Sequence, residues 1–155
     1  MDQMDAGADN VLSLYEALLP LIDHTNHDNL RNEVRELYWR VANEAKNEAF
    51  RRKLGLAQWS ADAAGLLDEL LALMQACGAD YTITFRQLAS VLDCPPIPEK
   101  QLEQLRLAAL PTGKFRGGSV EATWKLWLTK WLALVESSGH DVGSAAACIR
   151  ASSPK

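Results

Sequence analysis

The chain has 155 residues, 48% of them hydrophobic and 23% charged, with a formal net charge of −4. That balance suits a folded globular protein and disfavours a disordered chain. Acids and bases are interleaved rather than gathered into a basic stripe, which disfavours nucleic-acid binding driven by phosphate neutralisation, and no run approaches the roughly 18 apolar residues of a membrane span.

Asp9 or Asn10 is placed to cap a first helix on which Val11, Leu14, Tyr15, Leu18 and Leu19 recur at helical spacing until Pro20. After the polar run 23–28, Asp28 is expected to cap a long second helix. Leu30, Val34, Leu37, Tyr38, Val41 and Ala45 form one apolar stripe on it, with Arg51, Arg52 and Lys53 at its negative end. Trp39, Phe50 and Leu54 fall on the other side, so this helix is either sandwiched or turned toward a missing partner.

Ser60 is the expected cap of a third helix carrying Leu66, Leu67, Leu70, Leu71, Leu73, Met74 and Cys77. Gly78 closes it, and it should be the most buried element. Thr82 or Thr84 starts a fourth helix with Phe85, Leu88 and Leu92, which stops before Pro95-Pro96. Pro98 opens a fifth, with Leu102, Leu105 and Leu110 inward. The glycine-rich loop 111–118 leads to Ser119, the expected cap of a sixth helix on which Val120, Trp124, Trp127, Leu128, Trp131 and Val135 share a face. Asp141 opens a seventh, through Ile149, and the tail beyond it has nothing to pack with inside this chain. The expectation is an all-α protein of about seven helices, with a flexible stretch over 1–9 and one helical domain over 10–155.

Few residues invite a chemical role. His24 and His27 lie beside Asp23 and Asp28 but lack a third ligand at a diagnostic spacing, so they read as loop and capping residues. Lys114 and Arg116 sit in the 111–118 loop, which matches neither a Walker pattern nor a kinase glycine-rich loop, and a connector is the simpler reading. Asp80, Tyr81, Thr84 and Arg86 combine an acid, hydroxyls and a cation within seven residues. Glu36 with Arg40, and Glu48 with Arg52, have the spacing of surface ion pairs. Cys77, Cys94 and Cys148 lack metal-ligand spacing and are expected as reduced thiols of a cytosol-like compartment. A mitochondrial location would need a targeting segment ahead of residue 1. No catalytic, cofactor-binding or metal-binding residue is assigned.

Several blocks together resemble one family. They are Ala17-Leu18-Leu19-Pro20-Leu21, Lys53-Leu54-Gly55-Leu56, Ala79-Asp80-Tyr81-Thr82-Ile83-Thr84-Phe85-Arg86-Gln87-Leu88-Ala89, Trp124-Lys125-Leu126-Trp127-Leu128 and the final Arg150-Ala151-Ser152-Ser153-Pro154-Lys155. The chain resembles the C-terminal helical region of the selenoprotein O (SelO) family, protein-kinase-like enzymes that transfer AMP from ATP to Ser, Thr or Tyr hydroxyls of proteins. The family pattern reads Asn-Pro where this chain has Ser153-Pro154. The resemblance implies a helical segment beside a kinase-like core that binds ATP and Mg²⁺, and with it that Asp80 and Thr84 are cap residues, that Phe85 is a core anchor, and that Arg86 either pairs with a carboxylate or ties its helix to the core domain. None of that core's residues maps onto this sequence, and Cys148 does not stand for the redox-active Cys or selenocysteine of some members. The implied partners are the kinase-like core or another protein, met through apolar helix faces. The alternative is a non-enzymatic helical interaction module.

Overall fold

The structure is a computed structural model that describes residues 3–21, 27–108 and 118–153. Among the described residues there are seven α-helices and no strand: α1 (Gln3–Leu18), α2 (His27–Lys53), α3 (Ala61–Cys77), α4 (Tyr81–Asp93), α5 (Pro98–Arg106), α6 (Gly118–Ser137) and α7 (Val142–Ser152). A 3₁₀ turn, Leu19–Leu21, follows α1 at Pro20. The chain divides into two compact units, Met1–Lys46 and Asn47–Lys155, with the boundary inside α2.

In the first unit α1 and the start of α2 form an antiparallel hairpin. The Tyr15 hydroxyl donates to the His27 carbonyl at 2.9 Å, and the Tyr38 hydroxyl donates to the Met4 carbonyl at 2.8 Å. Gly7 makes room for the second contact, since a Cβ there would collide with the Tyr38 hydroxyl. Because Tyr38 reaches back to Met4, the helix begins at Gln3 rather than at a cap formed by Asp9 or Asn10, and the stretch expected to be flexible is helical from residue 3. Similarly, α2 already starts at His27, so Asp28 lies in its first turn, where an acid favours the positive helix end, and is not the cap. The α2 stripe is not uniformly inward. Leu37 and Val41 are 51% and 53% exposed.

The second unit closes around one core. α3 lies against α6, while α4 lies against α5 and α7. Leu66, Leu67, Leu70, Met74 and Cys77 of α3 are buried, with Leu71 and Leu73 partly so. The Ser60 side chain accepts the Ala63 amide hydrogen at 3.1 Å, and Gly78 closes α3 in the left-handed region at φ 65°. Asp80, not Thr82 or Thr84, caps α4 by accepting from the Ile83 amide; Asp141 caps α7 by accepting from Ser144. Pro98 stands in the first turn of α5, and Leu102 and Leu105 are buried as expected. Leu110 and positions 111–117 of the glycine-rich loop lie outside the described residues. α6 begins at Gly118, so Ser119, expected before the helix, falls within its first turn.

On α6, Trp124, Trp127, Leu128, Trp131 and Val135 are all buried. The rings of Trp127 and Trp131 stack at 5.8 Å, and Trp124 meets Trp127 edge-on at 6.0 Å. The expected second face of α2 does not exist as one surface. Leu54 is fully buried and Phe50 lies 6.1 Å from Phe85 in the second unit, whereas Trp39 is half-buried in the first. The end of the chain also differs from expectation. α7 runs to Ser152, and Arg150 forms an ion pair with Asp93 of α4.

Gly55 ends α2 at φ 68°, and a Cβ there would stand 3.0 Å from both the Ala145 carbonyl oxygen and Ile149 Cδ1 of α7. Both the left-handed backbone and the close approach demand glycine. Gly55→Ala should therefore cost about 1 kcal/mol or more. Leu70→Ala, which empties a fully buried site on α3, should cost about 2–5 kcal/mol. Urea denaturation of each variant measures both losses, and a change under about 0.5 kcal/mol at Leu70 would remove α3 from the centre of the fold.

Candidate functional site

The groups of the segment around Asp80 are engaged in local structure. The Asp80 carboxylate takes the Ile83 amide at 2.8 Å. Thr84 is fully buried, and its hydroxyl donates back to the Asp80 carbonyl at 2.6 Å. Phe85 is fully buried, as expected of an anchor. Tyr81 remains 44% exposed, with its ring 4.9 Å from that of Phe85. The Lys53 ammonium stands 5.3 Å from the Phe85 ring and 5.8 Å from the Tyr81 ring, a cation held over two aromatic faces. Burial pushes the Tyr81 phenol above its ordinary value. Arg86 is half-buried on α4.

A second polar cluster, centred on Arg51, was missed in sequence. Glu48 accepts from Arg51 through two nitrogens, at 2.6 and 2.9 Å, and from Arg52 Nε at 2.6 Å. Arg51 also donates through Nη1 to the Leu56 carbonyl at 2.6 Å, tying the end of α2 to the turn beyond it. The i,i+4 spacing gave Glu48 with Arg52, while the i,i+3 partner Arg51 was legible from the same helical geometry and overlooked. Hydrogen bonds from Arg51 and then Arg52 hold the Glu48 carboxyl down at about 2. No ion pair joins Glu36 to Arg40 among the described residues.

His24, Lys114 and Arg116 lie outside the described residues, and His27 is the first residue of α2. Among the described residues no three His, Cys, Asp or Glu side chains gather into a possible metal site. All three cysteines are free thiols, with Cys77 buried. Among the described residues no helix is long and apolar enough to cross a membrane.

Two depressions run along the seam between α3 and α6. One, of about 490 Å³, is walled by Ala72, Leu73, Ala76, Leu126 and Trp127; the other, of about 620 Å³, by Ala61, Gly65, Leu66, Ala133 and Leu134. Glu69 and Lys130, paired at 2.8 Å, line both. Such walls offer apolar contact rather than a nucleophile with a base beside it.

These features define an all-helical domain built on a buried tryptophan face, with its prominent polar groups engaged in caps and ion pairs. Over 155 residues the chain is 30% identical to the protein nucleotidyltransferase YdiU of Rhizobium etli (strain CIAT 652), covering 99% of this chain and 28% of that protein. It is 32% identical over 141 residues to YdiU of Pseudomonas fluorescens (strain SBW25) and 31% identical over 123 residues to YdiU of Flavobacterium johnsoniae, covering 90% and 79% of this chain. The chain belongs to the SelO (YdiU) family, and it spans about a quarter of the length of these relatives, 28%, 25% and 23%. No family model and no solved structure matches it.

The Glu48 cluster has a pH signature. A carboxyl depressed in the folded state contributes stability above its unfolded pKa and loses it as pH falls through the folded value, here from about 4.5 down to about 2. The folded chain should therefore lose stability across that window, and Glu48→Gln should flatten part of the decline. Thermal melts of both proteins between pH 5 and about 2 give the comparison, and parallel curves would exclude a role for this cluster.

Proposed function

We infer that this chain serves as a helical segment of a SelO-type protein adenylyltransferase, the part appended to a protein-kinase-like core. On this reading, AMP transfer from ATP to protein hydroxyls is carried by the portion of the family that the chain does not match. The observation carrying the reading is the coverage, since identity runs through 99% of this chain yet takes in 28% of the Rhizobium relative.

The local chemistry supports the same division. AMP transfer needs cations that position phosphates, ligands for a metal, and a path for the acceptor hydroxyl, all preorganised in one pocket. In the described residues Arg51 and Arg52 are engaged by Glu48, Lys130 by Glu69, and Arg150 by Asp93. That arrangement does not fit a magnesium–ATP complex, and no step of the reaction is assigned to these residues. ATP and Mg²⁺ belong, on this reading, to the kinase-like core, which also supplies a partner surface. The second reading, a non-enzymatic interaction module, is favoured by the exposed leucines of the first unit.

The chain by itself should show no binding of Mg-ATP by calorimetry and no incorporation of α-labelled ATP into a mixed protein substrate. Micromolar binding together with label transfer that disappears in Lys114→Ala would overturn the reading and make the 111–118 loop an active site.

A further inference from the structure

The α1–α2 hairpin is tied by the Tyr15 and Tyr38 hydroxyls and buries Ala8 and Tyr15 of α1, while α2 contributes half-buried side chains and a second side of each helix stays uncovered. On α2, Leu30, Val34, Leu37 and Val41 follow a 4-3-4 spacing that keeps them within an arc of about 60°. Leu37 and Val41 are more than half exposed, and Leu30 and Val34 are half-buried. On α1 and the turn after it, Leu14, Leu18 and Leu21 repeat the pattern at 60%, 41% and 82% exposure. The opposite side of the hairpin is the polar depression where Asp5 and Asp9 of α1 meet Arg31, Arg35 and Trp39 of α2. In antiparallel helices corresponding flanks turn to the same side, so the two leucine stripes form one face.

The charges beside that face decide what covers it. Written as a heptad, Leu30 and Leu37 take d, Val34 and Val41 take a, and Glu33 and Arg40 both take g, the flank away from α1. Both are exposed, and no ion pair holds either among the described residues. We propose that this face is a homodimer interface in which α2 lies antiparallel to α2 of a second copy. Leu30 then faces the partner's Val41, Val34 faces the partner's Leu37, and each Glu33 meets the partner's Arg40.

A two-fold interface requires a surface complementary to itself. Glu33 and Arg40 meet that requirement, because the rotation exchanges acid for base. A parallel pairing brings g against e instead, setting Glu33 against Tyr38 and Arg40 against Ala45, with no charge gained. Tyr38 is moreover already committed to the Met4 carbonyl. The α1 leucines flank the seam on the same side, so two hairpins together make a four-helix bundle.

Sedimentation velocity of the full 155-residue chain over a range of concentrations should show a monomer–dimer equilibrium, which Leu37→Asp converts to monomer. Arg40→Glu sets two like-charge pairs across the seam and should weaken the dimer about tenfold, as should Glu33→Arg. An equimolar mixture of these two variants should dimerise again, since each then supplies the charge the other needs, with helicity by circular dichroism unchanged throughout. A chain that stays monomeric at every concentration would overturn the proposal and leave the face to a different polypeptide. A dimer indifferent to Leu37→Asp and to the charge exchange would overturn it equally, placing self-association on another surface.

Discussion

Two indole hydrogen bonds hold the second unit together. Trp127 Nε1 donates to the Leu66 carbonyl in the middle of α3, and Trp131 Nε1 donates to the Leu54 carbonyl just past the end of α2, both at 2.9 Å and both buried. The Leu66 carbonyl has a second lone pair to offer, and the Leu54 carbonyl is among those left without an intrahelical donor at a helix end. Each ring therefore buries a large apolar area while satisfying its one polar atom. A leucine at position 131 would bury area but leave the Leu54 carbonyl unmatched, at a cost of about 1–3 kcal/mol. The register of α6 against α3 and the end of α2 thus follows from where two N–H groups point.

The turn after α2 depends on the same region. Gly55 takes the left-handed conformation that lets the chain leave the helix, and α7 fills the space a side chain would occupy. Arg51 donates to the Leu56 carbonyl from within the helix, and the Leu56 amide in turn donates to the Arg51 carbonyl at 3.0 Å. The fully buried Leu54 and Leu56 flank the glycine. The Lys-Leu-Gly-Leu block singled out in sequence is thus a helix stop whose two leucines enter the core.

What was legible in the sequence was local. Ser60, Gly78, Pro98 and Asp141 were read correctly because a cap or a proline acts within one turn of itself. The tryptophan face was legible because its period belongs to one helix. The starts of α1 and α2 were misplaced because they rest on contacts distant in sequence. Met4 is drawn into helix by Tyr38, and the His27 carbonyl by Tyr15. Phe50 and Leu54 share a helix flank with Trp39, yet angular position alone does not reveal that α4 receives Phe50 while Trp39 belongs to a different unit. At the candidate site Asp80 and Thr84 were expected as cap residues, and the structure engages both at the start of α4. Asp80 is a cap and Thr84 is bonded to the backbone one turn behind it, roles open to any Asp or Thr at a helix start.

The two units embody different burial regimes along a single helix. The last turns of α2 belong to a unit large enough to enclose a core, with Leu54 sealed from solvent. The earlier turns belong to a unit of fewer than fifty residues, Met1–Lys46, and a piece of that size buries too little surface to offset the entropy of ordering it. Among its described residues the buried apolar side chains are Ala8 and Tyr15, while five leucines and valines, Leu14, Leu18, Leu21, Leu37 and Val41, stand open. Two tyrosine hydroxyls and one Arg31–Glu16 pair supply polar ties between its helices, contributions of the order of 1 kcal/mol each for the hydroxyls and less for an exposed ion pair. Specific polar registration combined with an unfilled apolar side is what a hairpin needs if its orientation is fixed internally and its burial is completed from outside.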